Sequence, residues 1–233
     1  MNSRTVKSYL YEGIVIVASI LVAFALDASW ANYQESKVER RVLTELYEEF
    51  ESAKARIEFS IAELEVVIEA SSELVNFLGK DVLALSPTTA QDLVNRILAI
   101  NTLEVPSSVV DSIVASGQVR LISNSKLRET LAEWPAFISD VRENHEWHRV
   151  ETDEYLIPYL ARHVSIRDAA ITSGDATVEP GSFDYDVLSM QRDPVFEGRL
   201  VHRISRQQAT LRESKILLDE TGKLLALIAA EIG

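Results

Sequence analysis

Hydrophobic residues follow two patterns along this chain, and the change from one to the other sets its organisation. From Gly13 to Leu26 (GIVIVASILVAFAL) they form an apolar run of 14 residues. From Leu43 onward they recur in steps of three and four: Leu43, Leu46, Phe50, Ala53, Ile57, Ser60, Leu64, Val67, Ser71, Leu74 and Leu78. Nine of these eleven positions are apolar, where random placement gives about five, so the period is that of a helix. No proline or glycine falls between Gly13 and Gly79, and the pattern predicts one helix from Tyr9 to Leu78. A second line, Tyr47, Ile61, Ile68 and Val75, widens the stripe. A two-stranded coiled coil needs only a narrow seam, so a stripe this wide predicts two or more neighbouring helices. Between the two patterns, residues 31–42 (ANYQESKVERRV) are mostly polar and predict a solvated helical neck. Glu51, Glu58, Glu65 and Glu69 lie off the main seam and predict a solvated face, with Lys54 in reach of Glu58.

The later helices follow from their caps and breakers. Gly79 is placed to end the first helix, and a turn is expected as far as Pro87. Thr88 or Thr89 is placed to cap a short helix over about 90–100. A second short helix follows Pro106, with Ser108 and Asp111 in capping-box spacing and Gly117 at its end. Residues 117–124 (GQVRLISN) are a connector. From Ser125 a longer helix carries Leu131, Trp134, Ile138, Val141, His145, His148, Thr152, Tyr155 and Tyr159 on one seam, and Pro135 is expected to kink or restart it. Residues 164–183, with Gly174, Pro180, Gly181 and little periodicity, are expected to form the one long loop. A short helix is expected before Asp193, with Pro194 in the first turn of the last helix. That helix carries Leu200, Ile204, Gln207, Leu211, Ser214, Leu218, Thr221, Leu225, Ile228 and Ile232, and is the expected mate of the first bundle helix. The fold class predicted is all-α: an N-terminal transmembrane helix continuous with a long helix of an elongated bundle. It divides into tail and anchor (1–30), neck (31–42) and bundle (43–233).

A membrane span needs about 20 residues. Tyr9, Leu10 and Tyr11 before the apolar run and Ala28 and Trp30 after it extend it to 22 residues, roughly 33 Å of helix, with aromatic residues at both ends. A cleaved signal peptide is the rival reading, since Arg4 and Lys7 resemble its basic start and Ala23-Phe24-Ala25 a cleavage box. Glu12 at the head of the run argues against that. A core helix of a soluble bundle is the third reading. Glu12, Ser19, Ala23, Asp27 and Trp30 fall on one face, small and polar, where a second helix can approach closely in lipid. The plainer alternative is that Glu12 and Asp27 merely mark the two interfaces. Basic residues flank the run on both sides, Arg4 and Lys7 before it and Lys37, Arg40 and Arg41 after it. The arrangement expected is a cytoplasmic N-terminus, because export of a long C-terminal domain is insensitive to its charge.

Charge and composition narrow the function classes. The formal net charge of −13 lies almost wholly beyond Trp30, which is a poor fit to nucleic acid or anionic head groups. The absence of cysteine excludes disulfides, thiolate zinc sites and thiol catalysis.

The short span ending in Trp30, the charged neck, the stretch GQVRLISNSKLRETL and the stretch DPVFEGRLVHRI together resemble an uncharacterised family of bacterial single-span membrane proteins, a domain of unknown function. Its members carry an asparagine-rich, Trp-containing sequence just beyond the span; here Asp27-Ala28-Ser29-Trp30-Ala31-Asn32 matches it at Trp30 and Asn32. The resemblance implies a helical, membrane-anchored bacterial protein with no known activity; with the orientation expected from the charge flanks, the chain is expected in the inner membrane with its C-terminal domain on the periplasmic side. It carries no catalytic residues to transfer.

Searches for chemistry find no phosphate-binding loop, dinucleotide fingerprint or GxSxG elbow. His145-Glu146-Trp147-His148 superficially resembles a zinc-protease helix, but its histidines are three apart and not four. His145 and His148 still share a face and are the one weak metal candidate; buried seam histidines are the plainer reading. Trp147, Tyr155 and Tyr159 either line a small-molecule pocket or pack in the core. Asp175, Glu179, Asp184 and Asp186 lack the ordered spacing of a calcium loop and predict a solvated one. No cofactor is implied and no catalytic activity is expected. The leading expectation is a membrane-anchored interaction or scaffold protein that contacts the bilayer and either a second copy or another membrane subunit. Its anchor face and its bundle seam, Leu43, Leu46, Phe50, Ile57, Leu64, Leu211, Leu218 and Leu225, would make the contacts. The alternatives are a membrane-tethered ligand sensor and a metal protein using His145 and His148.

Overall fold

A computed structural model describes residues 3–80, 86–99, 103–174 and 176–233, with side chains from Glu12 onward except those of residues 14 and 87. The side chains of the aromatic and basic flanks before Glu12, together with Asp175 and most of the turn expected after Gly79, lie outside what is described. Among the described residues there are seven α-helices and no strand. The first, α1, runs unbroken from Ser3 to Phe77, 75 residues or roughly 110 Å at the helical rise. Gly79, at φ 69°, turns the chain away, and its N–H donates to the Gln191 carbonyl at 2.8 Å. All eleven predicted seam residues of α1 from Leu43 to Leu78 are buried.

The mate is α7, Pro194–Ile232. Asp193 caps it by accepting from the amides of Val195 and Phe196, which frees Pro194 to take the first position. It runs antiparallel to α1: Gln191 bonds the Phe77 carbonyl, Lys215 pairs with Glu65 at 2.7 Å, and Arg40 donates to the Ile232 carbonyl at 3.0 Å. The bundle part of α1 and the whole of α7 are of similar length, so α7 gives out where α1 leaves the bundle. Against this directly packed pair lies α4, Ser125–Glu151, capped by Asn124 and continuous through Pro135, where a kink or restart was expected. Its start is tied to the same end of the bundle through Asn124 and Glu231, 2.8 Å apart.

Short elements close the two ends. Helix α2 (Pro87–Ile97) is capped by Ser86, which accepts from the Thr89 amide, and not by Thr88 or Thr89; a proline at the first position needs no partner for a missing N–H. Helix α3 (Ser108–Ala115) has no cap from its own Ser107. Instead the carboxylate of Glu49, on α1, accepts from the amides of Val109 and Val110 at 2.8 and 3.1 Å. Gly117, at φ 72°, ends α3, and a 3-10 turn over Gln118–Leu121 follows.

Three elements depart from the expected pattern. After Glu151 the helix widens into a π turn, Thr152–Leu156, before α5 (Ile157–Leu160). A π turn holds more than four residues, so the buried line passes to Leu156 and Leu160, while Tyr155 is turned out to 50 % exposure. The loop expected over 164–183 contains α6, Ile166–Ser173, with Ser165 as its cap and Gly174 at φ 83° as its stop. Its Asp168 carboxylate accepts from the Gly181 amide and so ties down the irregular stretch that follows. A 3-10 turn, Val187–Arg192, precedes α7 where a short helix was expected.

The core is in two parts. The first joins Val42–Ile61 of α1 to α3, α4 and the C-terminal half of α7, and centres on Trp134 packed edge-on to Phe50 at 4.9 Å. The second joins Ala70–Leu78 to α2, Leu156, Leu160, Phe196 and Leu200. On α7 the central buried line is Arg203, Gln207, Thr210, Ser214, Leu217, Thr221, Leu224 and Ile228. Leu225 is buried as expected, whereas Leu211 and Leu218 are half-buried at its flank. The correction arises because α7 lies against both α1 and α4, and small polar side chains let it approach them.

Candidate functional site

Two regions stand apart from ordinary bundle packing. The first is the part of α1 outside the bundle. Every described side chain from Glu12 to Val38 is exposed, including Val15, Ile16, Val17, Ile20, Leu21, Val22, Phe24 and Leu26. This removes the core-helix reading: among the described residues no element covers the apolar run. Monomeric soluble proteins rarely expose contiguous apolar patches above a few hundred Å². Among the described residues this one helix is long and apolar enough to cross a membrane. Glu12, Ser19, Ala23, Asp27 and Trp30 are all exposed along it. The Ser19 hydroxyl donates to the Val15 carbonyl and that of Ser29 to the Ala25 carbonyl, so both are satisfied within the helix. Trp30 leans on Tyr33, with ring centroids 5.9 Å apart. Burial begins at Val42, where Glu39 also accepts from the Ser123 hydroxyl at 3.0 Å.

The second region is a belt of buried polar side chains between the two apolar cores. Arg203 of α7, only 2 % exposed, donates through Nη1 to the Glu151 carboxylate and to Thr152 Oγ1, and through Nη2 to the Ile97 carbonyl. Burial lowers its guanidinium from the ordinary value, and the charge and hydrogen bond of Glu151 oppose that shift. His148 Nε2 lies 2.9 Å from Thr210 Oγ1. Burial first, then the positive charges of Arg203, His145 and Arg206, push His148 down to about 3, so it is neutral in the folded protein. Trp134 Nε1, His148 Nδ1, Arg203 Nε, Gln207 Oε1 and Ser214 Oγ, all buried, have no hydrogen-bond partner among the described residues.

His145 and His148 do share a buried face, as their spacing predicts. Their surroundings are cationic, and among the described residues no group of three His, Cys, Asp or Glu is placed to hold a metal ion. The aromatic trio divides. Tyr159 packs: its ring stacks on Phe196 at 4.8 Å and its hydroxyl donates to Asp193. Trp147 and Tyr155 line an open groove of about 480 Å³ between the end of α4 and the start of α7, with Val150, Glu151, Val195, Gly198, Arg199 and His202. Glu179, Asp184 and Asp186 are solvent-exposed, as a solvated loop requires.

Sequence reasoning missed Arg203, Glu151 and Glu49. Each is a charged residue that periodicity assigns to the surface. The one signal available was that Arg203 falls four positions before Gln207 on the seam of α7. No protein family, curated protein or solved structure matches the chain.

Proposed function

We propose that this protein is a membrane-tethered helical scaffold. One N-terminal span anchors the chain, and the bundle stands off the bilayer as the rigid continuation of that span. The observation that carries the reading is the unbroken α1: the same helix presents bare apolar side chains from Val15 to Leu26 and a fully buried seam from Leu43 to Leu78. A bilayer covers the first stretch as α4 and α7 cover the second. The polar neck between them spaces the bundle from the head groups, and the acidic bundle has no electrostatic attraction to an anionic lipid surface. The membrane proposed is the bacterial inner membrane, with the bundle on the periplasmic side. The partner is a second copy or another membrane subunit, approached along the face of Ser19 and Ala23, whose small side chains allow close helix contact.

The test is fractionation of the full chain, followed by gentle extraction. The expected result is a protein that resists carbonate washing, keeps residues 1–30 by intact mass, and leaves mild detergent as an oligomer or with a partner. Release by carbonate or loss of the N-terminal segment would overturn the anchor. Recovery solely as a monomer would overturn the scaffold. Bulky replacements, Ser19→Leu and Ala23→Leu, should weaken the assembly and leave the bundle's thermal unfolding unchanged.

A further inference from the structure

The groove between the end of α4 and the start of α7 carries a glycine that packing within the chain does not require. That glycine is Gly198, which lines the groove from inside a helix of 39 residues. A Cβ at Gly198 meets nothing within 4 Å, so no close approach of this chain requires glycine there. Glycine in a helix interior costs about 0.5–1 kcal/mol relative to alanine, and the space it leaves opens into the groove.

The walls are two aromatic rings, each already braced. The Arg199 guanidinium lies over the Tyr155 ring at 5.6 Å, and Arg206 lies over Trp147 at 4.9 Å. His202 meets Trp147 edge-on at 5.7 Å.

The charges in the groove do not cancel. Its carboxylate, Glu151, is bound to buried Arg203. Arg199 is exposed and has no ion-pair partner among the described residues. On a chain of net charge −13, this groove therefore presents an uncompensated cation beside aromatic and apolar surface. Its volume of about 480 Å³ lies within the usual range for small-molecule sites.

We propose that this groove binds a small aromatic carboxylate, its ring against Trp147 and Tyr155 and its carboxylate on Arg199 beside His202. Arginine supplies the planar pair of donors that a carboxylate accepts. The aromatic walls favour a flat apolar body and Val150 and Val195 close the sides. The site is independent of whether α1 spans a bilayer.

The experiment titrates the full chain in detergent with naphthalene-2-carboxylate by calorimetry, against a micelle-only blank. Saturable one-to-one binding is expected, weakened at least tenfold by Arg199→Met and abolished by Gly198→Leu, with both variants melting like the parent. If Gly198→Leu fails to fold, Gly198→Ala is used, whose methyl meets no protein atom; it should weaken binding severalfold and melt no lower than the parent. The neutral naphthalene-2-methanol should bind at least tenfold more weakly, and the cationic naphthalene-2-methylamine not at all. Equal binding of the alcohol, tighter binding of the amine, indifference to both the Arg199 and Gly198 substitutions, or no saturable heat at millimolar ligand would each overturn the proposal.

Discussion

Arg203 and Glu151 form an ion pair across the middle of the bundle, between the last helix and the end of α4, with the guanidinium 2 % and the carboxylate 13 % exposed. The same guanidinium holds Thr152, the first residue of the π turn, and the last carbonyl of α2. Breaking such a pair leaves one buried charge uncompensated, which costs about 3–5 kcal/mol, whereas replacing both partners with apolar residues is often near neutral. Glu151→Leu should therefore lower the unfolding free energy by about 3–5 kcal/mol, and the double variant Glu151→Leu/Arg203→Met should recover most of it. Chemical unfolding of the four proteins of this cycle measures the coupling, and additive losses would show that the pair is not a unit.

Glu49 caps a helix to which it does not belong. Its carboxylate accepts from two amides and from the Ser108 hydroxyl at the start of α3, and it is favoured there by the helix dipole. Glu49→Ala should cost about 1–3 kcal/mol, and the amides of Val109 and Val110 should exchange faster with solvent. Hydrogen exchange localises the effect, because a general loss of stability would speed exchange along α4 and α7 equally.

The pH dependence has a definite sign. The His148 imidazole is held down to about 3 in the folded protein, below its ordinary value of 6.5. Between those values the unfolded chain binds a proton that the folded one does not, so stability falls as pH falls from about 6.5 towards 3, by at most about 1.4 kcal/mol per unit. Above 6.5 the contribution is fully present. Unfolding measured across that window should show the slope, and His148→Gln should flatten it.

The two halves of α1 should respond differently to charge. Leu21→Arg, at an exposed apolar position, places a charge in the middle of the run at a cost of about 2.5–3.5 kcal/mol of insertion, and should reduce the membrane fraction without changing the bundle's melting. Phe50→Asp, at a position 1 % exposed, should unfold the bundle and leave the chain in the membrane. Separate assays of membrane fraction and circular dichroism distinguish the outcomes.

The seam of α1 was legible because eleven successive positions obey one period, and all eleven are buried. The seam of α7 was less so. Thr210, Ser214 and Thr221 are buried there, while the more hydrophobic Leu211 and Leu218 sit at the flank. The threes-and-fours spacing did place Ser214 and Thr221 on the seam but left out Thr210; Thr221 satisfies its hydroxyl on the Leu217 carbonyl at 2.7 Å and packs as a small apolar group. After Thr152 the expected line to Tyr155 and Tyr159 gave way to Leu156 and Leu160, because a π turn changes the period that the expectation assumed. Tyr155 was thereby released to the groove.

The sequence by itself determined what depends on neighbours along the chain. It set the all-α class, the continuity of α1, the apolar run and the stops at Gly79 and Gly117, because helical propensity, periodicity and left-handed glycines act within a few residues. Only the tertiary structure decided which charged residues go inside. Glu49, Glu151 and Arg203 are polar in any local window, and they are buried because groups far away in sequence meet them there: the start of α3, the end of α2 and each other. Those pairings depend on how three long helices are set against one another, which no period along one helix contains.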